Sequence, residues 1–212
     1  MASTKPHVLI GIPTMGEINT LLVVMITKWI AEAANTGKYN ISFYPTACVS
    51  PVDRAREEIV DVFLGTKCTH LFWIDSDTVP KPDALLKLLS HDADIVSGLT
   101  PIIIYDEDRK DSDSNGFKKK WNCVGLDEKP LTPNTGVHKI FGAGGSCLLV
   151  KRKVYETLER PCYKFVYKDD NGKKANISED IYFTLMAKSK GFQPICDTSV
   201  IAGHYKGIFW DL

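Results

Sequence analysis

The stretch 70-HLFWIDSDTVP-80 decides the fold. An apolar run, 71-LFWI-74, leads directly into two aspartates separated by one serine, and the chain then meets a proline. A short continuous apolar run bounded by turn signals reads as a strand buried on both faces. Strands of that kind belong to sheets covered by helices on both sides. Asp75 and Asp77 then stand at the carboxyl end of the strand, which is where ligands bind in open α/β sheets.

The flanking sequence repeats the pattern. Residues 7–13 (HVLIGIP) read as a strand ended by proline, and 17–37 as a helix with its stop at Gly37. Residues 40–46 form a second strand. Residues 50–65 form a second helix, with Ser50 as N-cap, Pro51 in the first turn, Asp53 at the capping-box position and Gly65 as the stop. Residues 69–74 are the third strand, 81–91 the third helix and 94–100 the fourth strand. Strands alternating with helices imply right-handed crossovers and a mostly parallel sheet flanked by helices.

After Pro101 the alternation stops. Residues 105–120 are charged and mixed in sign, and read as a loop, either a solvated linker or a lid. Residues 139–152 read as strand, glycine turn, strand, followed by a short helix to Glu159. Residues 163–174 read as a hairpin around Asn171-Gly172. The second half is therefore more antiparallel. The expected class is α/β, with a Rossmann-like, mostly parallel central sheet and a smaller antiparallel portion.

Composition narrows the function. The chain has 212 residues, 44% apolar and 25% charged, enough for a real core. Its formal net charge is zero, which removes the electrostatic argument for nucleic acid as a partner. The six cysteines form no CxxC pair and no zinc spacing, so reduced thiols and a cytoplasmic location are expected. The most apolar run, 21-LLVVMI-26, is far shorter than the roughly 20 residues of a membrane span.

Residues i and i+2 of an extended chain point the same way, so Asp75 and Asp77 can face one site. Two neighbouring carboxylates repel unless a cation or hydrogen-bond donors compensate. Mg²⁺, for example, is held by one or two carboxylates plus substrate phosphates. The plainer alternative has Asp75 capping a turn and Asp77 capping the next helix. Two families place Asp-x-Asp after an apolar strand. One is the haloacid-dehalogenase-type phosphohydrolases, in which Asp75 would be the nucleophile. That motif normally follows the first strand and needs a later strand ending in a second acidic cluster. Here Glu179-Asp180 opens a helix instead.

The other family accounts for more of the chain. The motifs 10-IGIPTMGE-17, 53-DRARE-57, 75-DSD-77, 142-GAGG-145, 178-SED-180 and 203-GHYK-206 occur in that order. Together they resemble the GT-A-fold nucleotide-sugar glycosyltransferases (GT2-like), over nearly the whole length. Within that family the chain resembles glycosyltransferase domains encoded by large DNA viruses such as the chlorella viruses. The host-cell cytoplasm would then be its location. The resemblance implies one GT-A domain over 1–212, whether alone or within a longer chain. Its nucleotide-sugar half would span 1–100 and its acceptor-side half 101–212.

It also implies roles. Asp77 would ligate Mn²⁺ or Mg²⁺ directly, with Asp75 at the metal or the ribose and His204 completing the metal site. One imidazole among carboxylates favours Mn²⁺ somewhat over Mg²⁺. Pro13 and Thr14 would hold the base and ribose of a UDP-sugar donor, with Ser76 beside them and Lys206 reaching the diphosphate. Arg54 and Arg56 open a helix whose N-terminus favours anions, and Arg54 is assigned to the donor. The alternative for both arginines is pairing with Glu57, Glu58 and Asp61 on a solvated face. Gly144 and Gly145 would wall the sugar and acceptor pocket, or simply make a tight turn. Asp180 would be the base that deprotonates a glycan or glycoprotein hydroxyl, with Glu179 binding hydroxyls. The same two acids are also explained by the positive end of the helix that Ser178 caps. A third function stays open: a domain that binds nucleotide-sugars without turnover.

Overall fold

The computed structural model describes residues 5–105, 117–168 and 174–205. In chain order the elements are β1 (His7–Ile12), α1 (Thr20–Thr36), β2 (Asn40–Pro45), α2 (Val52–Gly65), β3 (His70–Trp73), β4 (Thr78–Pro80), α3 (Ala84–Ser90), β5 (Ile95–Leu99), β6 (Pro101–Tyr105), β7 (Phe117–Trp121), β8 (Cys123–Gly125), β9 (Val137–Ala143), β10 (Leu148–Lys151), α4 (Arg152–Thr157), β11 (Val166–Lys168), β12 (Lys174–Ile177), α5 (Glu179–Ser189) and β13 (Ile195–His204).

The main sheet has the order β2-β1-β3-β10-β5-β13-β9-β8, with β4 paired to β13. The strands β2, β1, β3, β5, β13 and β8 run one way, and β10, β9 and β4 run the other. The α/β class with a mostly parallel sheet and smaller antiparallel sheets is therefore observed. Its centre was not foreseen. β10, from the glycine-turn segment, inserts antiparallel between β3 and β5.

Strand alternation divides the core into two layers. Leu9, Leu71 and Trp73 face a layer with Ile59 and Phe63 of α2, Val154 of α4 and Phe183 of α5. Val8, Ile10, Ile12 and Phe72 face the other, with Leu22, Ile26 and Trp29 of α1 and Leu85 of α3. This is why 71-LFWI-74 is apolar without alternation: both faces are covered. Burying one such side chain contributes about 1.5–3 kcal/mol. On α1 the buried residues Leu22, Met25, Ile26, Trp29 and Ala33 keep helical spacing. Asn19 caps this helix by accepting from the Leu21 N–H at 2.9 Å, and Gly37 ends it at φ +65°.

Some local expectations change. The N-cap of α2 is Pro51 rather than Ser50, and Asp53 accepts from the Arg54 N–H instead of closing a capping box. Ser178 sits at the N-cap of α5 but makes no cap bond to the backbone, because its hydroxyl turns to Asp180. The segment read as a loop over 105–120 begins and ends in paired strands, β6 with β7, and its central part lies outside the described residues. The 163–174 hairpin is represented by β11 paired with β12, and its Asn-Gly turn also lies outside them. All six cysteines are free thiols. No described helix is long and apolar enough to cross a membrane.

Candidate active site

After β3 the chain turns at Asp75, whose carbonyl accepts from the Thr78 N–H at 2.9 Å. It then enters β4, which pairs antiparallel with the end of β13. The register sets Thr78 opposite His204, and the Tyr205 N–H donates to the Asp77 carbonyl at 2.7 Å. Backbone pairing thus carries His204 to Asp77 across more than a hundred residues of sequence.

The His204 Nε2 lies 3.0 Å from Asp77 Oδ2, and its Nδ1 lies 2.9 Å from the Pro101 carbonyl oxygen. A carbonyl can only accept, so Nδ1 carries the hydrogen. In a neutral ring, Nε2 then presents a lone pair toward a carboxylate. That arrangement calls for a cation between them, either a proton or a metal ion. A histidine whose other nitrogen donates to a backbone carbonyl is the usual form of a metal-ligating imidazole. The donor set therefore fits a divalent ion. Among the described residues no cluster of three or more His, Cys, Asp or Glu side chains is arranged to hold one. A metal here would need further oxygen ligands from a substrate, as Mg²⁺ sites commonly have.

Asp75 faces another partner. Its Oδ1 accepts from Arg56 Nη2 at 3.0 Å, and the same guanidinium donates through Nε to Glu179 Oε1 at 3.0 Å. Arg56 is only 3% exposed. It lies 5.2 Å from the ring centre of Trp73 and 5.8 Å from that of Tyr163. Below it, Trp73 Nε1 donates to the Tyr155 hydroxyl at 2.6 Å, and the Tyr155 and Tyr163 hydroxyls lie 2.9 Å apart. Burial would discharge the guanidinium, but Asp75, Glu179 and Asp180 more than offset this and keep it protonated. Burial pushes the Glu179 carboxyl above its usual range, against the pull of Arg56.

Asp180 is fixed by three donors. Its Oδ1 accepts from the Ser178 hydroxyl and, at 2.7 Å, from the Ile181 N–H. Its Oδ2 accepts from the Gly145 N–H at 3.0 Å. Gly145 also lacks a side chain where one would collide, since a Cβ there would sit 2.5 Å from Arg56 Cζ. A Cβ on Gly144 would sit 3.1 Å from Asn122 Cβ and 3.4 Å from Asp180 Oδ2. These glycines allow close approach of backbone and side chains. Asp75, Arg56, Glu179, Gly145 and Asp180 thus form one contiguous cluster.

A cleft of about 600 Å³ opens beside it, lined by Pro13, Thr14, Met15, Ser50, Val52 and Ser76 among others. Pro13, Thr14 and Ser76 are therefore together, with Ser76 standing between the two aspartates. Arg54 is elsewhere: exposed, it lines a separate acidic groove with Glu57, Glu58 and Asp61. Lys206 lies outside the described residues. Of the two arginines, only the buried Arg56 joins the cluster, and it faces carboxylates rather than the cleft. The sequence held a signal for this. Positions 56, 59, 60 and 63 are the buried stripe of α2, at the i, i+3, i+4, i+7 spacing of a helix face, and Arg54 is off it. The contacts of the Ser178 hydroxyl with Asp180 and of the Pro101 carbonyl with His204 carry no signal in the sequence.

No family model matches the chain, and no curated protein matches it. Solved structures do. A197 from STIV superposes with a TM-score of 0.61 at 18% identity, over 95% of this chain and 86% of that one. GalNAc-T7, solved with UDP, GalNAc and Mn²⁺, superposes with a TM-score of 0.53 at 12% identity, over 98% of this chain. The match spans 45% of GalNAc-T7, under half its length. At these identities the likeness is one of fold, and the fold is that of GT-A glycosyltransferases.

Proposed function

We propose that the protein is a metal-dependent glycosyltransferase. It moves a hexose from a UDP-sugar to a hydroxyl of a glycan or glycoprotein acceptor, with inversion. The observation that carries this reading is the pairing of Asp77 with His204 beside a cleft lined by Pro13, Thr14 and Ser76, with Asp180 oriented by Gly145 in the adjoining cluster. The fold likeness to GalNAc-T7, solved with UDP and Mn²⁺, supports the choice of donor and ion.

Asp77 and His204 would hold Mn²⁺ or Mg²⁺, which when bound supplies Lewis-acid neutralisation of the departing diphosphate. Pro13, Thr14 and Ser76 bind the nucleoside, and Lys206 serves the diphosphate. Asp180 accepts three hydrogen bonds, and a carboxylate has about four lone-pair sites, so one remains for an incoming hydroxyl. The acceptor oxygen bonds to the anomeric carbon on the face opposite UDP. The hydroxyl proton passes to Asp180, and the bond to the diphosphate breaks with its electron pair on UDP.

Calorimetric titration of UDP with and without Mn²⁺ tests the reading, with binding expected only when metal is present. Asp180→Asn should keep UDP binding and lose about 10²- to 10⁴-fold in transfer. Full transfer by that variant removes Asp180 as base. Absence of UDP binding in both conditions overturns the transferase, and phosphate trapped on Asp75 would identify a phosphohydrolase instead.

A further inference from the structure

Arg56 is a cation buried under the site, yet it spends its two long-range hydrogen bonds on two acids far apart in sequence. Asp75 belongs to the turn after β3, and Glu179 opens α5. A surface-type ion pair would need neither burial nor an aromatic slot. Here Trp73 and Tyr163 flank the guanidinium, and the missing side chain of Gly145 leaves room for it. Gly145 is the same residue whose N–H holds Asp180. The third guanidinium nitrogen of Arg56, Nη1, is buried and has no hydrogen-bond partner among the described residues. An orphaned donor of this kind costs about 1–3 kcal/mol, so this position is not optimised for stability alone.

We propose that Arg56 is a positioning residue that locks the donor-side turn at Asp75 to the start of α5, and so fixes the separation between the donor and Asp180. This rests on the transferase reading above. The guanidinium fork binds both carboxylates at once in a fixed plane, which a lysine ammonium on a flexible stem does not do. Asp75 is accordingly a residue oriented by arginine, and Asp77 is its separate, solvent-facing neighbour. This role is distinct from direct nucleotide binding by Arg56, because the cleft is lined from this helix by Val52 and Ala55 and not by Arg56.

The test compares wild type with Arg56→Lys, Glu179→Gln and the double variant, each checked for folding by circular dichroism. The readout is UDP release from UDP-glucose, UDP-galactose, UDP-N-acetylglucosamine and UDP-N-acetylgalactosamine with Mn²⁺. Misplacement of a reacting group by about 1 Å costs on the order of 10²-fold. Arg56→Lys should lower kcat about that much and also raise the donor KM, whereas Glu179→Gln should act on kcat alone. The double variant should match Arg56→Lys, because the tether is already broken. Multiplicative losses in the double variant overturn the proposal. If wild type neither binds UDP nor releases it, the transferase reading fails first. The tether is then read by carbon-detected NMR titration of Glu179, which should move in Arg56→Lys, and an unchanged curve refutes the lock.

Discussion

Asp75 and Asp77 are two residues apart and do opposite things. Asp75 is bound from below by a buried arginine that also holds Glu179. The Asp77 side chain is 41% exposed and pairs with a histidine delivered by the end of β13. The first arrangement hangs on a buried cation, although the Asp75 side chain is itself 32% exposed. The second joins a carboxylate to an imidazole at the end of a strand, which suits a ligand that brings its own charge. An Asp-x-Asp pair therefore need not be a two-ligand clamp. One acid anchors the loop to a buried arginine, and the other pairs with His204.

The comparison implies very unequal costs of mutation. Arg56→Met strands Glu179 and Asp75 without their counter-charge, and removing one partner of a buried pair costs about 3–5 kcal/mol. Urea unfolding should show that loss. His204→Ala, at the open pair, should change stability by no more than about 1 kcal/mol while weakening Mn²⁺-dependent UDP binding. Equal stability losses in the two variants would erase the distinction. Gly145→Ala comes next. Its new methyl must displace the Arg56 guanidinium, and overpacking costs about 1–3 kcal/mol. Thermal melting measures it, and Arg56→Met should absorb much of the penalty in a double variant.

A smaller effect comes from outside both regions and must be separated from them. Burial, with help from Lys151, pushes the His70 imidazole down to about 4 from 6.5. The native ring therefore holds its proton more weakly than the unfolded one. Between about pH 4 and 6.5 the unfolded chain binds more protons, so stability is full above that window and falls as the pH drops through it. His70 is partly exposed, so solvent screening holds the expected loss to about 1–2 kcal/mol. His70→Gln should flatten this part of the stability–pH curve. Asp197 contributes in the same direction at lower pH. Burial raises its pKa, but hydrogen bonds from His91 and Ser199 outweigh this and hold it below the usual carboxylate range. Its contribution is lost as the pH falls through that depressed value.

Much of the fold was readable because it was written in local periodicity. β1, α1, β2, α2, β3 and β5 all follow from apolar spacing and from stops such as Gly37. What escaped depends on partners distant in sequence. β4 has three residues and exists only because β13 pairs with it. β10 reads as one arm of a glycine turn, and nothing local says that its neighbours are β3 and β5. The site divides the same way. Asp75, Asp77, His204 and Asp180 carry motifs, and Pro13, Thr14 and Ser76 follow from strand ends. Arg54 and Arg56 look alike as letters, and only the phase of the α2 stripe separates the buried one from the exposed one.

The place of β10 has a consequence for how the protein is made. β3 and β5 are neighbours of β10, not of each other, so each lacks a pairing partner on its inner edge until β10 emerges. β5 ends at Leu99 and β10 begins at Leu148, and translation runs at roughly 5–20 residues per second. For several seconds the nascent chain therefore carries unpaired apolar edges on β3 and on both sides of β5, whose other neighbour β13 comes later still, each a template for pairing with another molecule. A ribosome that pauses in this interval holds an aggregation-prone half-sheet. Synonymous codon changes between residues 99 and 148 should accordingly alter soluble yield without altering the protein.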